Sequence, residues 1–311
     1  MPTLSLNNGF AMKRWPEPEV WAELIANRMG VTDVQLSLDL IDLTGGVERQ
    51  DDQASRIRNA CESNGIEISS VFSGLSEYCA NMLLHPDAEM RLAAVERYKR
   101  GIEFSALVGA DTFGGHMGAY SVADYHNPAR RQALAEEQLD HVSALSNYAG
   151  QAGLRYLLWE PMPVAREFPS TIAECLSLAE QFAEMNGATV AYCYDVGHAC
   201  RPDLPEAEQD PYLWLTRLSH LSPIVHLQQT DGKRDYHWCF TDEANAVGII
   251  HPEQVRTTIA KAPASVVTHL TIEVFPTFET PDEQVLADVA SSCEYWRDGD
   301  VTLTYGQRLG V

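Results

Sequence analysis

The sequence predicts an α/β fold, a (β/α)₈ barrel in which eight parallel strands close on themselves beneath eight outer helices. Short β-branched or aromatic runs alternate with longer segments of helical period, the signature of parallel βα units. Eight such units fit the 311 residues, a length that barrels of this kind reach as one domain. An open doubly wound sheet would bring a glycine-rich phosphate loop after its first strand. Here the first connection reads Asn7-Asn8-Gly9-Phe10.

The units follow in order. Strand one, 3–7, precedes a helix at 19–29; strand two, 33–39, precedes a helix at 51–64 that Gly65 can close. Strand three, 67–73, leads to a helix at 87–109, and Gly109 suits its left-handed end. Strand four, 111–117, gives way to a helix at 128–152, opened by Pro128 and followed by Gly153. Strand five, 155–161, is paired with a helix at 170–187 ending in Gly187, and strand six, 189–195, with one at 210–221. Strand seven, 224–229, precedes a helix at 252–262 opened by Pro252; strand eight, 266–275, precedes one at 281–297 opened by Pro281. A proline in a first helical turn loses no hydrogen bond, because that amide has no partner in the helix. No linker or repeat divides the chain, so residues 1–311 read as one domain with 298–311 as a C-terminal tail or short strand.

Composition narrows the partners. Forty-four acidic against 22 basic side chains give a net charge of −22, which repels a phosphate backbone and argues against nucleic acid. No apolar run is long enough to span a bilayer and no signal peptide opens the chain, so a cytoplasmic protein without a membrane role is expected. Seven scattered cysteines without CxxC spacing read as reduced core thiols.

In a (β/α)₈ barrel the carboxyl ends of the strands converge on one mouth, so polar residues there are candidates for function. Strand five ends in LLWEP with Glu160, strand six in YCYDVGH with Asp195 and His198, and strand eight in TIEVF with Glu273. Strand seven, IVHLQQTDGKR, adds His226 and Gln228, which share a direction because alternate strand residues do. Any one of these acids could merely cap a helix, and His226 or His116 alone reads as a hydrogen-bonded core histidine. Three carboxylates converging at one place are different: they repel unless protons or a cation offset the charge. A divalent metal held by Glu160, Asp195 and Glu273, together with the amide of Gln228 or the imidazole of His226, answers that. Oxygen-rich ligation favours Mn²⁺ first, then Mg²⁺, with Co²⁺ or Zn²⁺ if histidine joins.

The spacing of these elements resembles the xylose-isomerase-like barrel superfamily, especially its ketose 3-epimerases of the tagatose and psicose type. In those enzymes a metal is held by Glu on strand five, Asp on strand six with His three residues on, a ligand on strand seven and Glu on strand eight. Glu160, Asp195-Val-Gly-His198, Gln228 and Glu273 follow that order over nearly the whole chain. The family places histidine at the strand-seven ligand, where this chain has Gln228, a neutral and weaker donor. The stretch HLQQTDGKRDYHWCF also resembles the tetrulose-phosphate epimerases of erythritol breakdown.

The resemblance implies epimerisation of a small ketose or ketose phosphate through a metal-stabilised enediolate. Glu160 and Glu273 would flank the reacting carbon, one removing a proton and the other returning one. His198 would hydrogen-bond the carbonyl-side oxygens and His116 would orient a hydroxyl. Lys233, Arg234 and His237 would anchor a substrate phosphate. Aldose–ketose isomerisation shares this chemistry and is the nearest alternative. A phosphodiesterase of the abasic-site endonuclease type would need a basic face and further histidines, and a non-catalytic sugar-binding barrel is the third class. By analogy with similar barrels a homodimer or tetramer is expected.

Overall fold

The computed structural model describes residues 2–298. Eight strands form a closed parallel barrel in the order β1 to β8: β1 Thr3–Asn7, β2 Asp33–Ser37, β3 Glu67–Phe72, β4 Thr112–Gly115, β5 Tyr156–Trp159, β6 Thr189–Asp195, β7 Ile224–Leu227 and β8 His269–Ile272. The ring closes where β1 pairs with β8, Leu6 beside Ile272. The predicted (β/α)₈ barrel is therefore the observed fold, with each strand inside its expected range.

The helices are α1 Pro18–Leu24, α2 Val47–Ser63, α3 Leu75–Tyr78, α4 Ala88–Val108, α5 Val122–Tyr125, α6 Pro128–Gln151, α7 Ile172–Phe182, α8 Pro211–Leu218, α9 Asp242–Asn245, α10 Pro252–Lys261 and α11 Asp282–Asp298. Pro128 and Pro252 open α6 and α10 as expected. Asp87 accepts from the Glu89 amide to cap α4, whose far end turns at Gly109 with φ 83°, a left-handed conformation that costs other residues strain. The four-residue helices α3, α5 and α9 lie in the loops above β3, β4 and β7, and no sequence period announces them. The expected C-terminal tail, 298–311, lies outside the described residues apart from the end of α11. Among the described residues no helix is long and apolar enough to cross a membrane.

Two cores follow from strand alternation. The larger lies between barrel and helices and takes the outward residues of the strands, Leu6, Val34, Leu36, Val71, Leu157, Val225 and Ile272 among them. The smaller fills part of the barrel's inside with Phe72, Leu158, Ala191, Cys193 and Ile224. Along β3 the register against β2 slips, so that Val34 pairs with Ile68 but Gln35 with Ser70. Ser69 is the extra residue of a β-bulge, and beyond it the strand's faces are exchanged.

Candidate functional site

At the carboxyl end of the barrel a cavity of about 220 Å³ is lined by Glu160, His198, Asp235, His237, Glu273 and Phe275, among others. Each carboxylate arrives by strand geometry. Glu160 follows β5 and its amide donates to the Gly115 carbonyl at 3.1 Å, while Glu273 follows β8 and donates to Leu227 at 2.9 Å. Asp195 closes β6, and its Oδ1 accepts from the Gly197 amide at 2.6 Å.

His226 on β7 stands between two of these carboxylates. Its Nδ1 is 3.0 Å from Glu273 Oε2 and 3.5 Å from Glu160 Oε1, and its ring meets the Phe72 edge at 4.6 Å. One ligand atom from each of Glu160, Asp195, His226 and Glu273 lies within 4.8 Å of all the others. All four residues are buried, and Asp195 Oδ2 and both His226 ring nitrogens lack a well-formed hydrogen bond. Buried polar atoms in that state are costly, and among the described residues no Lys or Arg lines the cavity to offset the carboxylates. Three acids and an imidazole so gathered can hold a divalent cation.

Gln228, also fully buried, uses its carboxamide otherwise. Its nitrogen donates to Asp195 Oδ1 at 3.0 Å and to Asp235 Oδ1 at 2.6 Å, and its oxygen accepts from the His237 amide at 2.5 Å. Gly197 makes room for it, since a Cβ at that position would stand 2.3 Å from the carboxamide carbon.

A second cluster adjoins the first at Asp195. Asp235 Oδ2 is 3.3 Å from His198 Nε2 and its Oδ1 is 3.2 Å from His237 Nε2. His198 is fixed from behind, its Nδ1 at 2.9 Å from the Pro161 carbonyl. Atoms of Asp195, His198 and His237 also approach within 4.8 Å of one another. Burial disfavours the charged form of His237, yet Asp235 outweighs it and raises the imidazole to about 10.

The two catalytic candidates differ in proton affinity. Burial raises Glu160 above the usual carboxylate range, with His226 only partly opposing. Burial also acts on Glu273, but the neighbouring His226 and His237 outweigh it and hold that carboxyl below its ordinary value. His116, on the loop after β4, also lines the cavity. Burial lowers it to about 4, so the ring is neutral near pH 7. Its Nε2 lies 3.3 Å from the Ala80 carbonyl and its Nδ1 is buried without a hydrogen bond.

Lys233 and Arg234 stand apart from this group. Both are exposed on the turn after β7, neither lines the cavity, and Lys233 Nζ is 2.7 Å from Asp231 Oδ2. Three residues that sequence reasoning missed do belong. Asp235 lines the cavity. Asn7, at the end of β1, donates from Nδ2 to Glu273 Oε1 at 3.1 Å. Glu167, on the loop after β5, is buried and thereby raised to about 7. A polar residue at a strand end was a usable signal for Asn7; no periodicity marks the other two.

Comparison with known proteins identifies the family of the fold that carries this site. The chain is 30% identical over 303 residues to the D-erythrulose 1-phosphate 3-epimerase of Brucella abortus (strain 2308), covering 94% of this chain and 95% of that one. The crystal structure of a candidate xylose isomerase of Rhodospirillum rubrum superposes with a TM-score of 0.88 at 32% identity, covering 96% of this chain and 99% of the other. The D-psicose 3-epimerase of Clostridium cellulolyticum H10 shares the fold, with a TM-score of 0.71 at 12% identity and coverage of 95% and 98%. The family model for xylose isomerase-like TIM barrels matches residues 24–295, and the chain belongs to that family.

Proposed function

We propose that this chain is a divalent-metal-dependent 3-epimerase of a short ketose or ketose phosphate, with erythrulose phosphate the first substrate to test. One observation carries the reading: Glu160 and Glu273, from β5 and β8, meet around His226 inside one cavity, their proton affinities shifted in opposite directions by burial and by the neighbouring histidines. An epimerase needs that inequality, one carboxyl holding a proton while the other accepts one from the substrate. The names and the near-complete overlap of the Brucella relative and the structural neighbours support an isomerase acting on a small ketose.

Glu160, Asp195, His226 and Glu273 would hold the metal. Gln228 was the expected strand-seven ligand; with its oxygen engaged by His237, we assign it instead to holding Asp195 and Asp235 in place. When bound, the ion supplies positive charge against the negative charge that develops on the ketose oxygens, Mn²⁺ being the first ion to try.

The protein's own groups do the rest. Glu273, ionised, removes the hydrogen at the carbon beside the carbonyl on its face of the sugar. Glu160, whose burial favours the protonated form, returns a proton to the opposite face. His198, held at Nδ1 by Pro161 and facing Asp235 at Nε2, lines the cavity and would have to share Nε2 between Asp235 and a carbonyl-side oxygen. Neutral His116 offers Nδ1 to a hydroxyl. Lys233 and Arg234 on the rim are the groups offered to a phosphate, and Lys233 would have to exchange Asp231 for it.

The test is a panel of ketoses and their phosphates in D₂O with Mn²⁺, followed by NMR. Deuterium should enter only at the epimerised carbon, and Glu160→Gln and Glu273→Gln should each lower epimerisation by at least about 10³-fold, the scale of a lost proton-transfer group. Preference for phosphorylated over free sugar should fall in Lys233→Ala/Arg234→Ala. Undiminished epimerisation in either glutamine variant sinks the two-carboxylate reading.

A further inference from the structure

The inside of the barrel below Glu273 holds a directed chain of amides. Asn7, Gln35 and Ser70, from β1, β2 and β3, are at most 2% exposed, and buried amides of this kind weaken a fold unless each donor and acceptor is matched. They are matched in one sense only. Asn7 Oδ1 accepts from the Gly9 amide at 2.8 Å, which fixes the carboxamide with its nitrogen toward the site. That nitrogen donates to Gln35 Oε1 at 2.8 Å and to Glu273 Oε1 at 3.1 Å. Gln35 in turn donates from Nε2 to Ser70 Oγ at 3.1 Å. Flipping either amide would set donor against donor, so both are fixed: donation runs from Asn7 through Gln35 to Ser70, and the same Asn7 nitrogen also donates to one oxygen of Glu273.

The consequence falls on that carboxylate. With Oε1 held by Asn7, Oε2 is the oxygen turned toward His226 Nδ1 at 3.0 Å. Glu160 has no counterpart: among the described residues no side-chain amide donates to it, and its inner neighbour along β5 is Leu158. We propose that Asn7, held in place by Gln35 and Ser70, is a positioning residue that fixes the orientation of the Glu273 carboxylate for proton transfer. The inference rests on the reading of Glu273 as one of the two proton-transfer carboxyls and adds what orients it.

A positioning role predicts a one-sided defect. Asn7→Asp keeps the shape and replaces the donor with an acid, Asn7→Ala removes the group, and Gln35→Leu removes the support behind it. In the metal-loaded full-length enzyme, Asn7→Ala should lower kcat by about 10- to 100-fold with KM within about threefold, the effect of losing a charge-assisted hydrogen bond. Asn7→Asp should lose at least as much and Gln35→Leu less. The double variant Asn7→Ala/Gln35→Leu should be no slower than Asn7→Ala, because the two act in series.

Isotope effects separate this from general loosening. In Asn7→Ala the effect of a deuterated substrate on kcat/KM should grow for the epimer whose hydrogen faces Glu273. For the other epimer it should shrink toward unity, because return of a proton by Glu273 then limits the rate. Equal changes for both epimers, or wild-type kcat in folded Asn7→Ala and Gln35→Leu, overturn the positioning role. If Glu273→Gln itself still epimerises, the reading of the site has failed instead, a distinguishable result.

Discussion

The two halves of the barrel's interior are made of different chemistry. The side chains that β5, β6 and β7 turn inward below the mouth are Leu158, Ala191, Cys193 and Ile224. The opposite half, from β8 through β1 and β2 to β3, is built of Thr271, Ser5, Asn7, Gln35 and Ser70, all buried, with Phe72 at the end of β3 as its apolar exception. Glu160 stands at the top of the apolar half and Glu273 at the top of the polar half. Burial alone raises both acids. On the apolar side that pull prevails, whereas on the other side His226 and His237 reverse it and Asn7 adds a donor. Two chemically identical side chains are thus shifted in opposite directions, Glu160 upward by its burial and Glu273 downward by the histidines beside it, the direction of difference that a two-base epimerase uses.

The comparison can be tested by attacking each half. Leu158→Ala should be the most damaging to stability, by roughly 2–5 kcal/mol for a buried leucine that leaves a cavity, and loss of the apolar floor should bring Glu160 toward an ordinary carboxylate. Denaturant midpoints and an unchanged m-value would check the first part. A leucine-to-alanine cost below that range would mean that the interior collapses around the gap.

Glu167, on the loop above the apolar half, gives a pH signature. Its folded value of about 7 lies above its ordinary 4.5, so the native state binds its proton more tightly than the unfolded chain. Stability from this group is therefore complete below about pH 4.5 and is lost as pH rises through 7. Glu167→Gln, a mimic of the protonated form, should match wild type near pH 4 and exceed it by about 3 kcal/mol above pH 8. Urea titrations of the metal-free protein across that range provide the measurement, and parallel curves for the two proteins would rule out the buried proton.

The smallest effect separates the two central acids. In the metal-free protein, Glu160→Gln should be neutral or slightly stabilising, because burial penalises the carboxylate charge that an amide lacks. Glu273→Gln should cost about 1–3 kcal/mol, since it removes the negative partner of His226 and weakens the bond from Asn7. Melting curves giving the same sign for both variants would erase the distinction between the halves.

Much of this was legible from the chain. Alternating periods announced eight βα units, and the end of a barrel strand is a place where a polar residue has few structural reasons to be, so Glu160, Asp195, His198, His226, Gln228 and Glu273 could be named in advance. What the alternation could not tell is which atom each side chain turns inward: Gln228 and His226 point the same way, and only the engagement of Gln228 by His237, Asp195 and Asp235 separates them. Loop residues were harder. Lys233 and Arg234 looked like a basic patch beside the site, but the turn carries them into solvent, while Asp235, the next residue, folds back to meet two histidines. Asn7 was visible as part of a turn, yet its role depends on a partner 266 residues away.

The bulge at Ser69 reaches further than its size suggests. Strict alternation from Ile68 onward would send Phe72 outward toward the helices; the slipped pairing turns it inward, where its ring meets His226. Adjacent serines at the crossing let either one occupy the odd place with little steric difference. Lengthening or shortening that run by one residue would invert everything downstream on the strand, so a segment that supplies no ligand governs what lies beneath the centre. The eight βα units are accordingly not interchangeable tiles, and grafting this mouth onto another barrel would fail unless the third strand brought its irregularity along.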